Sequence, residues 1–452
     1  MSEEKKLHAA GRAGRMASAY HRHYRGKMET IPKCAVRSLE DFSVWYSPGV
    51  AEPCREIEED PTLSFQYTNR WNTVAVVSDG SRVLGLGDIG PEAGYPVMEG
   101  KALLYKYLGG VDSVPILLDT KDPDEIIRTV LLLQPSFGGI NLEDIAQPKC
   151  FRILETLRKK ASIPVWHDDQ QGTATVTLAA LLNALELTGR SIGEARITFV
   201  GSGAANVACA RLAFGRGADP KKALMVDSKG VLGRHREDLK RRKNEYYEKW
   251  QLCEQTNGAE LSGGIREALE GADVVISLSQ PGPGTILPEW IAAMAKEPVV
   301  FACANPVPEI WPWEAKEAGA AVVATGRGDF PNQVNNSLCF PGIFRGAIDS
   351  GATTITDEMC FAAAEAIAAY AKENEAYGPE RIVPTMEETS LFPAVAAAVG
   401  MQAIREGTAR LRPTEEELYQ SATEMIERSQ ALTRRMMEEG FIAEPPEVAE
   451  DV

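Results

Sequence analysis

The 452-residue chain has no Cys-x-x-Cys pair, no long apolar run, only five histidines and a shortage of positive charge. Its eight cysteines (Cys34, Cys54, Cys150, Cys209, Cys253, Cys303, Cys339 and Cys360) are scattered. That scatter argues against a zinc ribbon or a disulfide framework and for buried thiols in a reducing compartment. No stretch approaches the roughly 18 uninterrupted apolar residues that a bilayer span needs. The N-terminus, Met1 to Lys6, is charged and no apolar segment follows it, so a secretory signal is not expected. Lys and Arg number 48 against 64 Asp and Glu, a formal charge of −16, which opposes binding to nucleic acid or anionic lipid. The basic run Lys240-Arg241-Arg242-Lys243 sits among acids and reads as a solvated helix face. Together these absences predict a cytoplasmic protein with no nucleic-acid or membrane partner.

What is present is ordinary globular material, 44% apolar and 25% charged, and the length suits two or three domains at about 150 residues each. Residues 1–30 are polar and basic, with Tyr and His interleaved, and predict a loose arm or short helix that meets a partner subunit. From Thr73 onward, short β-rich runs alternate with turn residues: Val74–Val77, Val83–Asp88, Pro115–Leu118 and Pro164–Trp166. Apolar runs of this length between helical patterns indicate buried parallel strands. An Ala/Leu/Thr-rich helix follows from about Thr173 to Leu187, and a domain boundary is placed at its start. Beyond it a second series alternates (Arg196–Val200, Lys222–Val226, Val274–Leu278, Val299–Ala302 and Ala321–Ala324), and from Asp357 the chain is helical. The predicted fold class is α/β: an N-terminal α/β domain over 1–172, a doubly wound Rossmann-like domain over 173–400, and a helical tail over 401–452.

Gly201-Ser202-Gly203-Ala204-Ala205-Asn206 directly follows the strand Ile197–Val200 and opens a helix. The first Gly permits a tight turn, and the second lets backbone N–H groups approach a pyrophosphate that the helix N-terminus attracts. Asn206 stands where Gly or Ala is usual, so the fingerprint is incomplete. Asp227 lies 24 residues after Gly203, near the spacing of about 20 for a ribose-binding carboxylate. A carboxylate there repels a 2′-phosphate and suggests NAD, while Lys229 and Arg234 leave room for NADP.

Two acid pairs stand out, Glu143-Asp144 and Asp168-Asp169, the latter at the end of a predicted strand. Carboxylates brought together repel unless one is protonated or a cation lies between them, and oxygen ligands of this kind suit Mg²⁺ or Mn²⁺. Taken singly, either pair equally suits helix capping. Lys101 follows a Gly/Pro-rich loop and is expected at a helix start, where the dipole lowers an ammonium's pKa and suits a general base; a surface lysine fits the residues as well. Tyr46, before the turn Ser47-Pro48-Gly49, could present a phenol at a cleft or be structural. His167 reads as a strand-end residue behind the acids.

Read together, Tyr46–Ala51, Ser78–Asp88, Pro96–Lys101, Gly138–Asp144, His167–Thr173, Ala302–Pro306 and Gly326–Phe344 resemble the malic enzyme family, in its small prokaryotic-type branch. The resemblance runs in order from about Val36 to Ala368. It implies oxidative decarboxylation of L-malate with NAD(P) and a divalent metal. It also implies site roles: Tyr46 as general acid, Lys101 as general base supported by Asp168, and Glu143, Asp144 and Asp169 as metal ligands. Arg82 becomes the clamp on a substrate carboxylate, and Asn305, Asn335 and Asn336 become contacts to substrate and nicotinamide. It suggests a homodimer. Three departures stand beside it: Asn206 in the glycine loop, Gln171 where small members often carry His, and the tail beyond about residue 400. Two other activities fit the same residues, a malolactic or oxaloacetate-decarboxylating enzyme and a silent NAD-binding regulator.

Overall fold

The computed structural model describes residues 3–448, with side chains from Ala13 onward. Two parallel sheets carry the chain. The first has the order β2-β1-β3-β4, built from β1 (Thr73–Ser78), β2 (Asp112–Leu117), β3 (Gly139–Leu142) and β4 (Val165–His167). The second has the order β10-β9-β8-β5-β6-β7. Its strands are β5 (Ile197–Val200), β6 (Leu224–Asp227), β7 (Gly230–Val231), β8 (Val274–Ser277), β9 (Val299–Ala302) and β10 (Val322–Thr325). All pairings are parallel except the short β6–β7 hairpin. Val74–Val77 have no exposed surface, as expected where helices cover both faces of a parallel sheet.

Among the longer helices, α1 (Glu3–Tyr24) decides between the expected loose arm and short helix in favour of a helix, of 22 residues. Helices α2 (Gly90–Gly109), α3 (Pro123–Leu133) and α4 (Lys149–Lys160) belong to the first sheet. Helix α5 (Thr173–Leu187) crosses to the second sheet, where α6 (Ala204–Gly215) follows β5. The chain ends in α7 (Phe340–Asp349), α8 (Asp357–Lys372), α9 (Leu391–Glu406) and α10 (Glu415–Glu438). A contiguous core runs from Val74 in the first sheet through Phe199 in the second to Ile426 in α10.

Two local expectations are corrected. The run Val83–Asp88 is a tight loop: Val83 N–H bonds the Gly87 carbonyl at 2.9 Å, with Leu84 at φ 48° and Gly87 at φ 81°. Its glycines break the strand, and Leu84 and Leu86 point outward. Lys101 is not at a helix start, because α2 begins at Gly90 with a proline in its first turn and carries Pro96 inside. A first-turn proline lacks only an N–H that would be unpaired anyway, so the Gly/Pro-rich stretch is the helix's own beginning.

The tail folds back onto the N-terminal half. Thr414 and Glu417 form a capping box that starts α10. Ser429 Oγ then donates to the Lys106 carbonyl at 2.7 Å, and Gln430 Nε2 to the Tyr107 carbonyl at 3.1 Å. Helix α10 therefore braces the helix that carries Lys101.

Candidate active site

The parallel register brings the two acid pairs together. Leu142 of β3 lies beside His167 of β4, so the residues leaving each strand at its C-terminal end emerge side by side. Glu143 N–H bonds the Val77 carbonyl at 2.9 Å, extending the ladder by one residue. Asp144 then turns into the left-handed region (φ 53°), and its N–H donates to Asp169 Oδ2 at 2.8 Å. A non-glycine residue held there is a strained position of the kind that clusters at functional sites. On the other side, Asp168–Gly172 form a π-helical turn between β4 and α5, a feature frequent at functional sites. A Cβ on Gly172 would collide with the Asp168 carboxylate, so this turn requires glycine. Neither pair caps a helix through its side chains. Oxygens of Glu143, Asp144 and Asp169 instead lie within 4.8 Å of one another.

Lys101 reaches this cluster from the second half of α2. Its ammonium donates to Asp168 Oδ2 at 2.5 Å, lies 3.1 Å from Glu143 Oε1, and sits 4.1 Å from the centre of the Phe340 ring. Burial by itself would depress the Lys101 pKa, but Asp168 and then Glu143 more than offset it and hold the ammonium above its ordinary value. This reverses the direction expected for a lysine at a helix start. Burial pushes the Glu143 carboxyl well up, with Lys101 opposing and the other acids adding to the rise. Burial and then Asp169 raise Asp144 to about 8. His167 is fully buried behind the acids, its Nδ1 3.5 Å from Asp169 Oδ2, and burial lowers its pKa so that the ring is neutral.

Of the residues that support the acids, Trp166, Asn141 and Tyr105 carried no sequence signal of their own. Trp166 Nε1 donates to Asp168 Oδ1 at 3.1 Å and Asn336 Nδ2 to Asp168 Oδ2 at 2.8 Å. Asn141 Nδ2 donates to Glu143 Oε2 at 2.8 Å, and Asn141 Oδ1 accepts from the Tyr105 hydroxyl at 2.9 Å. Asn336 therefore holds Asp168, while Asn335 caps the turn after it through Ser337. Arg82 is exposed, its backbone N–H is tied to the Asp144 carbonyl at 3.0 Å, and no carboxylate pairs with its guanidinium among the described residues. Asn305 is exposed at the C-terminal end of β9. Tyr46 is 72% exposed, and no hydrogen bond joins its hydroxyl to the cluster.

The second sheet reverses its strand order at β5, whose neighbours are β6 and β8, and such a switch point opens a crevice at the strand C-termini. Gly201 occupies it with φ 94°, and a Cβ there would meet the Leu278 carbonyl oxygen at 2.6 Å. Gly203 is the N-cap of α6, and Ala204 and Ala205 are its first residues; Ser202 is buried between the two glycines. Asn206 stitches the loop to the sheet, its Nδ2 reaching the Val200 and Gly201 carbonyls at 2.8 and 2.9 Å. The odd residue in the fingerprint thus secures the loop by hydrogen bonds. Asp227 ends β6, and Arg236 grips both of its oxygens at 2.8 and 3.1 Å. Buried Glu309 fastens the crevice's other wall, accepting from Ser279 N–H at 2.9 Å and Ala304 N–H at 3.0 Å.

Residues 25–158 match the malic enzyme N-terminal domain, and residues 170–404 match the malic enzyme NAD-binding domain. The chain belongs to the malic enzyme family. A bifunctional malic/malolactic enzyme of Bacillus subtilis is 48% identical over 90% of this chain and 96% of its own length. An NADP-dependent malic enzyme of Halomonas elongata is 45% identical over 85% of this chain and 92% of its own. Among solved structures, the Entamoeba histolytica malic enzyme superposes with a TM-score of 0.94 at 49% identity, covering 99% of this chain and 93% of the other. The Pyrococcus horikoshii malic enzyme gives 0.87 at 48% identity over 92% and 95%.

Within the malic enzyme fold, the expected metal ligands fit a divalent cation on the structure's own terms. Three carboxylates converge, Asp144 Oδ2 is buried without a hydrogen-bond partner, and two of the carboxyls are pushed upward by burial and by one another. Hard oxygen donors of this kind suit Mg²⁺ or Mn²⁺. Gln171, the second departure from the family pattern, accepts from His167 N–H at 3.0 Å and keeps the end of β4 closed.

Proposed function

We propose that this chain catalyses the oxidative decarboxylation of L-malate to pyruvate and CO₂ with reduction of NAD(P), assisted by Mg²⁺ or Mn²⁺. The observation that carries the reading is the convergence of Glu143, Asp144 and Asp169 beside the Lys101–Asp168 pair. Held by Glu143, Asp144 and Asp169, a divalent cation would supply positive charge for the oxygens of a hydroxy acid, and the nicotinamide would accept the hydride from C2. A cation there would oppose the field of Asp168 and Glu143 that keeps Lys101 protonated. With that proton lost to solvent, the neutral Lys101 amine takes the C2 hydroxyl proton, and Asp168, fixed by Trp166 and Asn336, sets its position. The C3–C4 bond of the resulting β-keto acid breaks to release CO₂, and Tyr46 supplies the proton that C3 gains. Arg82 binds a substrate carboxylate, and Asn305, Asn335 and Asn336 border substrate and nicotinamide. Gly201, Ser202, Gly203, Ala204, Ala205 and Asn206 form the pyrophosphate turn, and Asp227 faces the adenosine ribose.

The working division is a malate domain over 1–172, a dinucleotide domain over 173–400 and a helical brace over 401–452. The chain acts as a cytoplasmic homodimer. Ile31, Val36, Leu39, Phe42, Val44, Trp45 and Tyr46 are all exposed in one segment, an apolar stretch that a partner subunit would cover. No helix among the described residues is long and apolar enough to cross a membrane.

The test is one assay of malate with NAD or NADP and Mn²⁺, following NADH or NADPH and pyruvate together. Equal formation of both, abolished by EDTA, is expected. Turnover at an unchanged rate in EDTA would refute the metal's role, and lactate without NADH release would replace the reading with a malolactic one.

A further inference from the structure

Asp227 is the expected ribose-binding carboxylate, yet it is not a bare charge. Arg236 approaches it as a fork, Nη1 to Oδ1 at 2.8 Å and Nη2 to Oδ2 at 3.1 Å. The Lys229 backbone N–H takes a second position on Oδ1 at 2.9 Å. The other edge of the guanidinium grips Asp238, with Nε to Oδ1 at 2.8 Å and Nη2 to Oδ2 at 3.0 Å, and Nη1 also reaches the Gly230 carbonyl at 3.3 Å. All five N–H donors of Arg236 are therefore engaged. Its side chain is only 7% exposed and that of Asp227 13%, so water screens this pair weakly.

Two consequences follow from counting charges and lone pairs. Asp227 and Asp238 bring two negative charges; Arg236 brings one positive charge and Lys229, whose Nζ lies 3.2 Å from Asp238, brings a second. The cluster is neutral in sum, and Lys249 adds a further cation within reach of Asp227's field. The repulsion that an isolated carboxylate would exert on a 2′-phosphate is thereby largely cancelled. Oδ1 has both lone pairs occupied and Oδ2 has one left, so Asp227 can accept one ribose hydroxyl and not a pair.

We propose that Arg236 is the specificity-determining residue of the adenosine-ribose pocket: by holding and neutralising Asp227 it lets the enzyme accept NADP alongside NAD. The inference rests on the dinucleotide reading of the glycine loop, which places the ribose at the end of β6. Its charge arithmetic distinguishes it from a reading in which Asp227 alone excludes the 2′-phosphate.

The experiment measures NADH and NADPH binding by nucleotide fluorescence in the metal-free full chain, so no turnover is involved. In the wild type the two affinities should agree within about tenfold, a difference of 1.4 kcal/mol. Arg236→Met should weaken NADPH at least about tenfold more than NADH, and Asp227→Asn should shift preference the opposite way. Arg236→Lys keeps the charge, so its NADPH/NADH ratio should stay within about threefold of wild type, and it serves if the methionine variant does not fold. The ligands 2′,5′-ADP and 5′-ADP should repeat the wild-type result without a nicotinamide. Rejection of 2′,5′-ADP by a thousandfold or more, or an unchanged nucleotide ratio in Arg236→Met, would overturn the role of Arg236. Failure of the wild type to bind either dinucleotide would instead remove the reading on which it rests.

Discussion

Two acidic clusters end strands in this protein, and they are balanced in opposite ways. At the end of β6, Asp227 and Asp238 are matched by Arg236 and Lys229. At the ends of β3 and β4, the one Lys or Arg among the described residues paired with Glu143, Asp144, Asp168 or Asp169 is Lys101. The first cluster is satisfied by its own cations. The second has surplus negative charge in a buried place, and the surplus shows as carboxyls that resist ionisation: Glu143 lies well above its ordinary range and Asp144 at about 8. Like residue types thus make a charge-balanced cluster in one sheet and a buried surplus of negative charge in the other.

The largest expected break in that contrast is Lys101→Met. Removing the one cation should lower kcat by about 10²–10⁴, the usual contribution of a general base, with NADH affinity unchanged by fluorescence titration. Turnover like wild type would exclude Lys101 as the base.

Asp144→Asn should sharpen the contrast without touching Lys101. Asp144 is harder to ionise in the fold than in the unfolded chain. The stability tied to its raised pKa is complete below the ordinary carboxylate range and is lost as pH rises through about 8. Metal-stripped wild type should therefore melt at a lower temperature at about pH 9 than at about pH 6, with Mn²⁺ restoring more at the higher pH. Asp144→Asn should flatten that pH dependence and lose most of the Mn²⁺-induced shift in Tm. Persistence of the full Mn²⁺ shift would take Asp144 out of the ligand set.

The smallest effect is expected in the second sheet. Asn206→Ala removes two short hydrogen bonds to the Val200 and Gly201 carbonyls, at about 1 kcal/mol each. It should lower Tm modestly and weaken NADH binding, leaving the Mn²⁺ shift intact. If the Mn²⁺ response fell instead, the glycine loop and the acid cluster of the first sheet would not be independent.

Strand-length apolar runs announced most of both sheets, because a strand buried on two faces needs them whatever its partner. The glycine loop was legible for a similar reason: only glycine tolerates φ 94° against the Leu278 carbonyl. The Val83–Asp88 loop and the start of α2 were misread, since apolar residues can face outward on a loop and a proline can open a helix. Trp166, Asn141 and Arg236 were missed, because a side chain that acts by hydrogen-bonding another leaves no spacing to detect. An arginine within ten residues of a strand-ending aspartate was the one hint of Arg236.

By itself the sequence determined the α/β alternation, the dinucleotide turn and the supply of acids, since these follow from local backbone and side-chain demands. The tertiary structure decided which acids meet, through the Leu142–His167 register, and which are neutralised, through Arg236. It also decided the charge of Lys101, because an ionisable group answers to the field of its neighbours, and those neighbours are set by strands and helices far apart in the chain.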